Sequence, residues 1–192
     1  MLKIAKKYEQ KLNEKVMDSV MDSKYKFWQL EYPDTVVKVD DSFWSQIQLV
    51  SVKDEEVIGY LRAKWDRPEN YIGNISCVHF GEDHKNTFAA DIIKFWKYLV
   101  YKLKVPKIKW SVVNSNPAKV FYDRIIENYG GRIVGYESYA VLIEGKYYDM
   151  TYYEWINSYF ECMCCGYRTR SEEEVVCWKC GLGEMVYVNP FH

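Results

Sequence analysis

Ile108-Lys109-Trp110-Ser111-Val112-Val113-Asn114-Ser115-Asn116-Pro117-Ala118-Lys119-Val120-Phe121-Tyr122 changes its period midway. Apolar and polar positions alternate from Ile108 to Val113, the pattern of a half-buried strand. Asn114-Ser115-Asn116-Pro117 then offers side-chain acceptors for the first amides of a helix, and a proline whose fixed φ suits its first turn. That helix is predicted to run to about Asn128, where Gly130-Gly131 closes it. Upstream, Val105-Pro106 ends a longer helix, from about Thr87 to Lys104, because proline disfavours helical conformation at the residue before it. Ile92, Phe95, Trp96, Leu99, Val100 and Leu103 form the apolar stripe of this helix. Lys94, Lys97, Lys102 and Lys104 lie mostly off the stripe and read as a solvated face.

Working outward, Ser45 to Lys53 and Glu56 to Lys64 alternate around Lys53-Asp54-Glu55, which predicts a hairpin. The polar loop Asp66 to Asn70 leads into a third strand, Tyr71 to Phe80, followed by a loop from Gly81 to Asn86. At the start of the chain, Ile4, Tyr8, Leu12, Val16 and Val20 recur at every fourth position, so the first twenty-odd residues predict an amphipathic helix packed on its own domain. Arg132 to Tyr136 and Tyr139 to Ile143 predict a final strand pair ending at Glu144-Gly145. The order is helix, three strands, helix, strand, helix, two strands, which is an α+β pattern.

The chain has 192 residues and a net charge of −1, with 48% apolar and 17% aromatic residues. This composition predicts a folded globular protein, with no global electrostatic pull toward nucleic acid or an anionic membrane. No run approaches the roughly 18 to 20 apolar residues that span a bilayer. The lysine-interrupted segment Met1 to Leu12 is not a signal peptide. Five of the six cysteines crowd into the tail, while Cys77 lies alone in an apolar segment. That distribution suits a reducing cytoplasm and a metal site better than a disulfide framework.

In that tail, Cys162 and Cys165, then Cys177 and Cys180, make two Cys-x-x-Cys pairs, each followed by a glycine, Gly166 or Gly181. A glycine-backed turn lets two thiolates converge on one ion, and the intervening residues suffice for a short hairpin that brings the pairs together. The pattern predicts a Zn2+ site of four thiolates in a zinc ribbon over residues 158–192; a redox dithiol is the alternative. Cys164, inside the first turn, is a possible substitute for Cys165. From Phe160 to His192 there are three basic and five acidic residues. Four thiolates on a divalent ion add about two further negative charges. The balance disfavours nucleic acid and favours docking to a protein partner or stabilisation of the C-terminus. Trp178 reads as a cover for the metal core.

Asn116-Pro117-Ala118-Lys119-Val120-Phe121-Tyr122 resembles the Asn-x-Ala-x-x-x-Tyr pattern of the GNAT acetyltransferase superfamily, and the resemblance covers about residues 40 to 157. It implies a central, mostly antiparallel sheet with flanking helices, in a domain spanning residues 1–157 with the N-terminal helix included. The strands at the places of the family's fourth and fifth, here Tyr71 to Phe80 and Ile108 to Val113, would splay, and acetyl-CoA would insert its pantetheine arm between them like an extra strand. By this resemblance Asn116 contacts the cofactor, and Tyr122 donates a proton to the departing CoA thiolate. Val78 and Phe80, at the end of the fourth strand, would also contact the cofactor.

The family's pyrophosphate loop, Gln/Arg-x-x-Gly-x-Gly/Ala, is matched here by His84-Lys85-Asn86-Thr87-Phe88-Ala89. Its backbone amides and helix N-terminus would hold the phosphates, with Lys85 adding charge. His84 replaces glutamine or arginine, and Thr87 replaces a glycine, which restricts the backbone. His79 is the candidate general base, by its ordinary pKa; without a base, the amine would arrive neutral. The resemblance thus implies an N-acetyltransferase acting on an amine acceptor, small molecule or protein, by direct attack. The altered loop favours the alternative, a GNAT-like adaptor without turnover that docks through its ribbon.

Overall fold

The computed structural model describes residues 1–20, 22–28, 36–40, 42–157, 159–165, 168–169 and 179–188. The chain divides into two compact units, Met1–Trp155 and Ile156–His192. Among the described residues, no helix is long and apolar enough to cross a membrane.

The first unit is built on a seven-stranded sheet in the order β1-β2-β3-β4-β5-β7-β6. Its strands are β1 (Leu2–Ile4), β2 (Gln46–Lys53), β3 (Glu56–Asp66), β4 (Tyr71–His79), β5 (Lys107–Val113), β6 (Arg132–Ile143) and β7 (Lys146–Ile156). Neighbours β1 to β4 pair antiparallel, as do β6 and β7. The β2–β3 hairpin turns at Asp54 and Glu55, whose φ values of 48° and 63° match the twist of the flanking strands. Parallel β4 and β5 are paired in register at one position, Ile72 with Ile108. Beyond that pair the two strands part, as the splay implied by the resemblance requires.

Helices α1 (Glu9–Val20), α2 (Lys85–Lys97) and α3 (Lys119–Tyr129) flank this sheet. Because side chains alternate along a strand, Leu61 and Ala63 reach one face of β3 and Tyr60 the other. On the first face Phe88, Phe95 and Trp96 of α2, with Tyr122 and Ile125 of α3, pack against Leu61, Ala63, Ile75 and Trp110. On the second face Leu12 and Val16 of α1 meet Val50, Tyr60, Val78 and Phe80. Each large apolar side chain so buried contributes about 1.5–3 kcal/mol. Asp91 ties α2 to the sheet. It is fully buried and accepts from Ser51 Oγ at 2.7 Å, with Lys94 Nζ at 2.9 Å and the Met1 ammonium at 3.0 Å. Burial pushes its carboxyl up, but the bonds from Lys94 and Ser51 outweigh burial and hold it below the usual range.

Three expectations change. The N-terminal periodicity predicts one helix from Ile4, yet Leu2–Ile4 is a strand on β2, a 3-10 turn covers Ala5–Tyr8, and α1 starts at Glu9. The long helix starts at Lys85 and ends in a wider turn, Tyr98–Lys102. The predicted final pair, Arg132 to Tyr136 and Tyr139 to Ile143, is one strand, β6, paired with β7 across Glu144-Gly145. Glu137-Ser138 reads as a turn but sits beside a bulge at Tyr139, where φ is 55°. Asp149 of β7 accepts the Tyr139 N–H at 2.9 Å, so the bulge keeps its amide satisfied and the strand continues.

Gly59 of β3 lies directly under the Phe88 ring of α2. A Cβ there would stand 2.2 Å from Cε2 of the Phe88 ring and 2.9 Å from the Val78 carbonyl oxygen. Gly59→Ala is therefore expected to destabilise the protein by about 1–3 kcal/mol, the range for overpacking a filled core. Chemical denaturation of mutant and parent measures it; equal midpoints would show that Phe88 yields freely.

The second unit carries a three-stranded antiparallel sheet in the order β10-β8-β9, with β8 at Tyr159–Cys162, β9 at Arg168–Thr169 and β10 at Met185–Val188.

Candidate functional site

The parting of β4 and β5 opens a cleft in the first unit. One cavity, of about 480 Å3, runs from the cleft toward the start of α2. A second, of about 340 Å3, runs along β5 to Val141 and Met150. Phe27, Trp28, Cys77, Asn116, Ala118 and Tyr122 line both. The residues at their junction thus come from β4, from the turn before α3 and its first turn, and from a segment that follows α1.

The sheet register decides which main-chain groups face this cleft. The Phe80 N–H donates to the Ile58 carbonyl at 2.9 Å, and Val78 stands opposite Tyr60. Alternate residues of an antiparallel strand turn their N–H and C=O to opposite sides. Ser76, Val78 and Phe80 therefore direct these groups at β3, while Cys77 and His79 direct theirs toward the departed β5. Val78 lines the first cavity, whereas Phe80 lines neither. The cofactor contacts expected of Val78 and Phe80 thus fall on residues whose main chain points to β3.

His79 stacks on Phe88, with ring centroids 5.1 Å apart and planes at 28°. It lines the first cavity, and its Nε2 is buried with no hydrogen-bond partner among the described residues. Burial pushes the imidazole below its ordinary pKa, despite a hydrogen bond with the Asp83 backbone, so the ring is neutral at pH 7.

Asn116 shapes the turn that leads into α3: its Oδ1 accepts the Ala118 N–H at 2.9 Å, and its carbonyl accepts the Lys119 N–H at 2.9 Å, while Ala118 is the residue at the N-cap and no side chain caps it. Tyr122 lies in the first turn of α3 and is 7% exposed. Its ring packs 6.1 Å from that of Trp110 and 6.3 Å from that of Tyr153. Tyr153 is fixed by a 2.6 Å bond from its hydroxyl to Asp123; burial and then this bond push its phenol up and leave it un-ionised. A similar fixed aromatic wall backs Tyr122.

Of the predicted phosphate loop, Lys85, Phe88 and Ala89 line the first cavity, and His84, Asn86 and Thr87 do not. His84 precedes α2 in a left-handed conformation, φ 65°, which starts the helix at Lys85. The sequence gives no motif for the segment Lys24-Tyr25-Lys26-Phe27-Trp28, yet four of its residues line the first cavity. The Trp28 indole N–H donates to Ser76 Oγ at 3.1 Å, and the Tyr25 hydroxyl accepts the Gly81 N–H at 3.0 Å. A dense run of aromatics and lysines was the only signal.

In the second unit the Sγ atoms of Cys162, Cys165 and Cys180 lie within 4.8 Å of one another and could hold a metal ion. Cys162 and Cys180 sulfurs are 3.6 Å apart. Tetrahedral bonding at about 2.3 Å from the metal spaces sulfurs by about 3.8 Å, so the donor set fits zinc. The backbone N–H groups of Leu182 and Gly183 hold the Cys180 thiol down to about 6, which favours the thiolate. Cys177, Gly166 and Trp178 lie outside the described residues.

No protein-family model matches the chain, and no curated protein does. Solved structures do. An N-acetyltransferase from Staphylococcus aureus Mu50 aligns with a TM-score of 0.61 at 12% identity, over 82% of this chain and 98% of that one. A probable acetyltransferase from Staphylococcus epidermidis ATCC 12228 gives 0.59 at 12% identity, over 81% and 98%. A spermidine/spermine N-acetyltransferase from Vibrio cholerae, solved with manganese ions, gives 0.50 at 18% identity, over 60% and 68%. At these identities the likeness is one of fold: the seven-stranded α+β architecture is that of GNAT acetyltransferases.

Proposed function

We propose that this protein is an acetyl-CoA-dependent N-acetyltransferase in which an amine attacks the thioester directly. The observation that carries the proposal is the cleft between β4 and β5, where two cavities meet at Tyr122 and Asn116. A pantetheine arm has two amides and needs strand-like partners; Cys77 and His79 turn their main-chain groups into the gap to meet it. The start of α2, with Lys85 beside it, suits the phosphates.

Acetyl-CoA supplies the activated acyl group. Tyr122 delivers its phenolic proton to the sulfur as the carbon–sulfur bond breaks, and the new carbon–nitrogen bond forms on the acceptor. His79, neutral and with its Nε2 unpartnered among the described residues, takes the proton that the amine gives up, directly or through water. Both groups line the first cavity, His79 from the end of β4 and Tyr122 from the first turn of α3.

In the second unit, Cys162, Cys165 and Cys180, with Cys177 as the fourth ligand expected from the spacing, would hold Zn2+. The ion would stabilise the unit and present it to a protein partner.

Titrating the full chain with acetyl-CoA in a calorimeter tests the enzyme reading. Saturable binding in the micromolar range is expected, together with CoA release when amines are added. No heat at millimolar cofactor would sink it and leave the second reading, a binding protein without turnover. The carboxylate of Glu82 at the phosphate end is the feature that favours this second reading.

A further inference from the structure

At the α2 end of the first cavity, two lysines close on one carboxylate. Lys24 Nζ donates to the Gly81 carbonyl at 2.9 Å and to one oxygen of Glu82, and Lys85 Nζ stands 2.7 Å from the other. All three side chains line the cavity. Lys24 is not a loose surface lysine. Its own N–H donates to Asp22 Oδ1 at 2.9 Å, and the next residue, Tyr25, accepts the Gly81 N–H at 3.0 Å. The Tyr25 and Trp28 rings then lie 6.3 and 6.0 Å from that of Phe80. The segment after α1 is thereby fastened over the end of β4 with its ammonium at the phosphate end of the cleft. Hydrogen bonds from Lys24 and then Lys85 hold the Glu82 carboxyl down to about 2, so it stays an anion across the working pH range.

On the acetyl-CoA reading of the cleft, on which this rests, we infer that Glu82 stands in for a cofactor phosphate. Lys24 and Lys85 exchange its carboxylate for the diphosphate of CoA, so Lys24 is a cofactor ligand and Glu82 sets the affinity. Charge carries the argument. Two cations face one carboxylate, leaving one positive charge, whereas a diphosphate brings two negative charges to the same ammonium groups. Glu82 is 67% exposed at the side chain, so its ion pairs are weak and easily exchanged. Once displaced it remains beside the diphosphate as a like charge and opposes binding. Lysine is a point-charge partner for phosphate and needs no fixed fork geometry, so the exchange requires only rotamer changes.

The exchange also links the two cavities. Lys24 belongs to the segment that carries Phe27 and Trp28, and these line the second cavity as well as the first. Cofactor phosphate therefore holds the segment that walls both cavities.

Calorimetric titration of the full chain with CoA and with S-acetylpantetheine, which lacks the phosphates, tests this. E82Q is expected to bind CoA about two- to fivefold more tightly, the scale of an exposed charge contact. K24Q should bind CoA about tenfold more weakly, and neither substitution should change the affinity for S-acetylpantetheine. Thermal midpoints within a degree of the parent confirm that both variants are folded. If the parent binds CoA but E82Q binds it no more tightly, or K24Q binds it equally well, the inference is overturned and the acetyltransferase reading stands. Equal gains for CoA and S-acetylpantetheine also overturn it, because the effect would then not run through phosphate. A parent that binds no CoA overturns both.

Discussion

Tyr122→Phe is expected to lower kcat by about a hundred- to a thousandfold, while leaving the KM for acetyl-CoA and the thermal midpoint close to the parent's. The substitution removes one oxygen from a side chain that is 7% exposed and keeps the ring against Trp110, Phe121 and Tyr153. Packing is thus held constant, and what changes is the proton at the cleft. A thiolate leaving without that proton must be expelled as an anion into a cleft walled by Phe27, Trp28 and Ala118. Direct attack gives no covalent intermediate in which the loss could hide, so the deficit falls on the chemical step. If the hydroxyl served only structure, the loss would appear in the melting temperature and not in kcat. A leaving thiol of lower pKa separates the cases further, because it needs the acid less and should narrow the gap between mutant and parent. Equal rates of CoA release by mutant and parent would remove Tyr122 from this role.

Asn116 and Tyr122 are legible in the sequence because their signal is local. A strand, a turn closed by Asn116 and the first turn of a helix follow one another without a gap, which places Tyr122 on that first turn. The hairpin of β2 and β3, strand β4 and the two helices on either side of β5 are legible for the same reason, by periods of 2 and 3.6. The cleft itself is not local. Lys24 meets Gly81 across 57 positions, and Trp28 meets Ser76 across 48. Nothing in a single segment announces such pairs, so the roof of the first cavity was invisible. The choice between Cys77/His79 and Val78/Phe80 was also hidden, since it is a parity set by the register of β3 on β4. One strand read alone gives both parities equal claim. At Glu137-Ser138 the failure differs: polar residues that mark turns elsewhere are tolerated here because Asp149 of the neighbouring strand satisfies a bulge. Glycine spacing announced the turn after Cys180, where Gly181 has a φ of 68°, but not the demand at Gly183, which comes from a sulfur 21 residues away in sequence.

Removing metal is expected to unfold the second unit while the first keeps its fold. The unit Ile156–His192 is smaller than the roughly 40 residues below which a chain seldom folds without disulfides, metal or a partner. Its hydrophobic cluster among the described residues is Cys162 and Met185, with Cys180 packed on them, so the proposed ligands are themselves the core. Three sulfurs that converge without a cation would repel once ionised, and zinc in sites of this kind contributes on the order of 10 kcal/mol to folding. The protein as purified is therefore expected to hold one zinc per chain. A strong chelator should expose the segment after Trp155 to protease and leave the thermal transition of the first unit in place. Cys180→Ser is expected to reproduce the chelated state. Gly183→Ala should weaken the site without touching a ligand, because its Cβ would stand 2.1 Å from Cys162 Sγ and 2.8 Å from Cys164 Cβ. Substitution with Co2+ gives the readout, since thiolate-to-cobalt absorption reports the number of sulfurs and the tetrahedral geometry. Full zinc content and unchanged cobalt absorption in Cys180→Ser would remove Cys180 from the ligand set. A parent without metal, whose proteolysis is indifferent to chelator, would return the cysteines to the redox alternative, which thiol alkylation under oxidising and reducing conditions would then count.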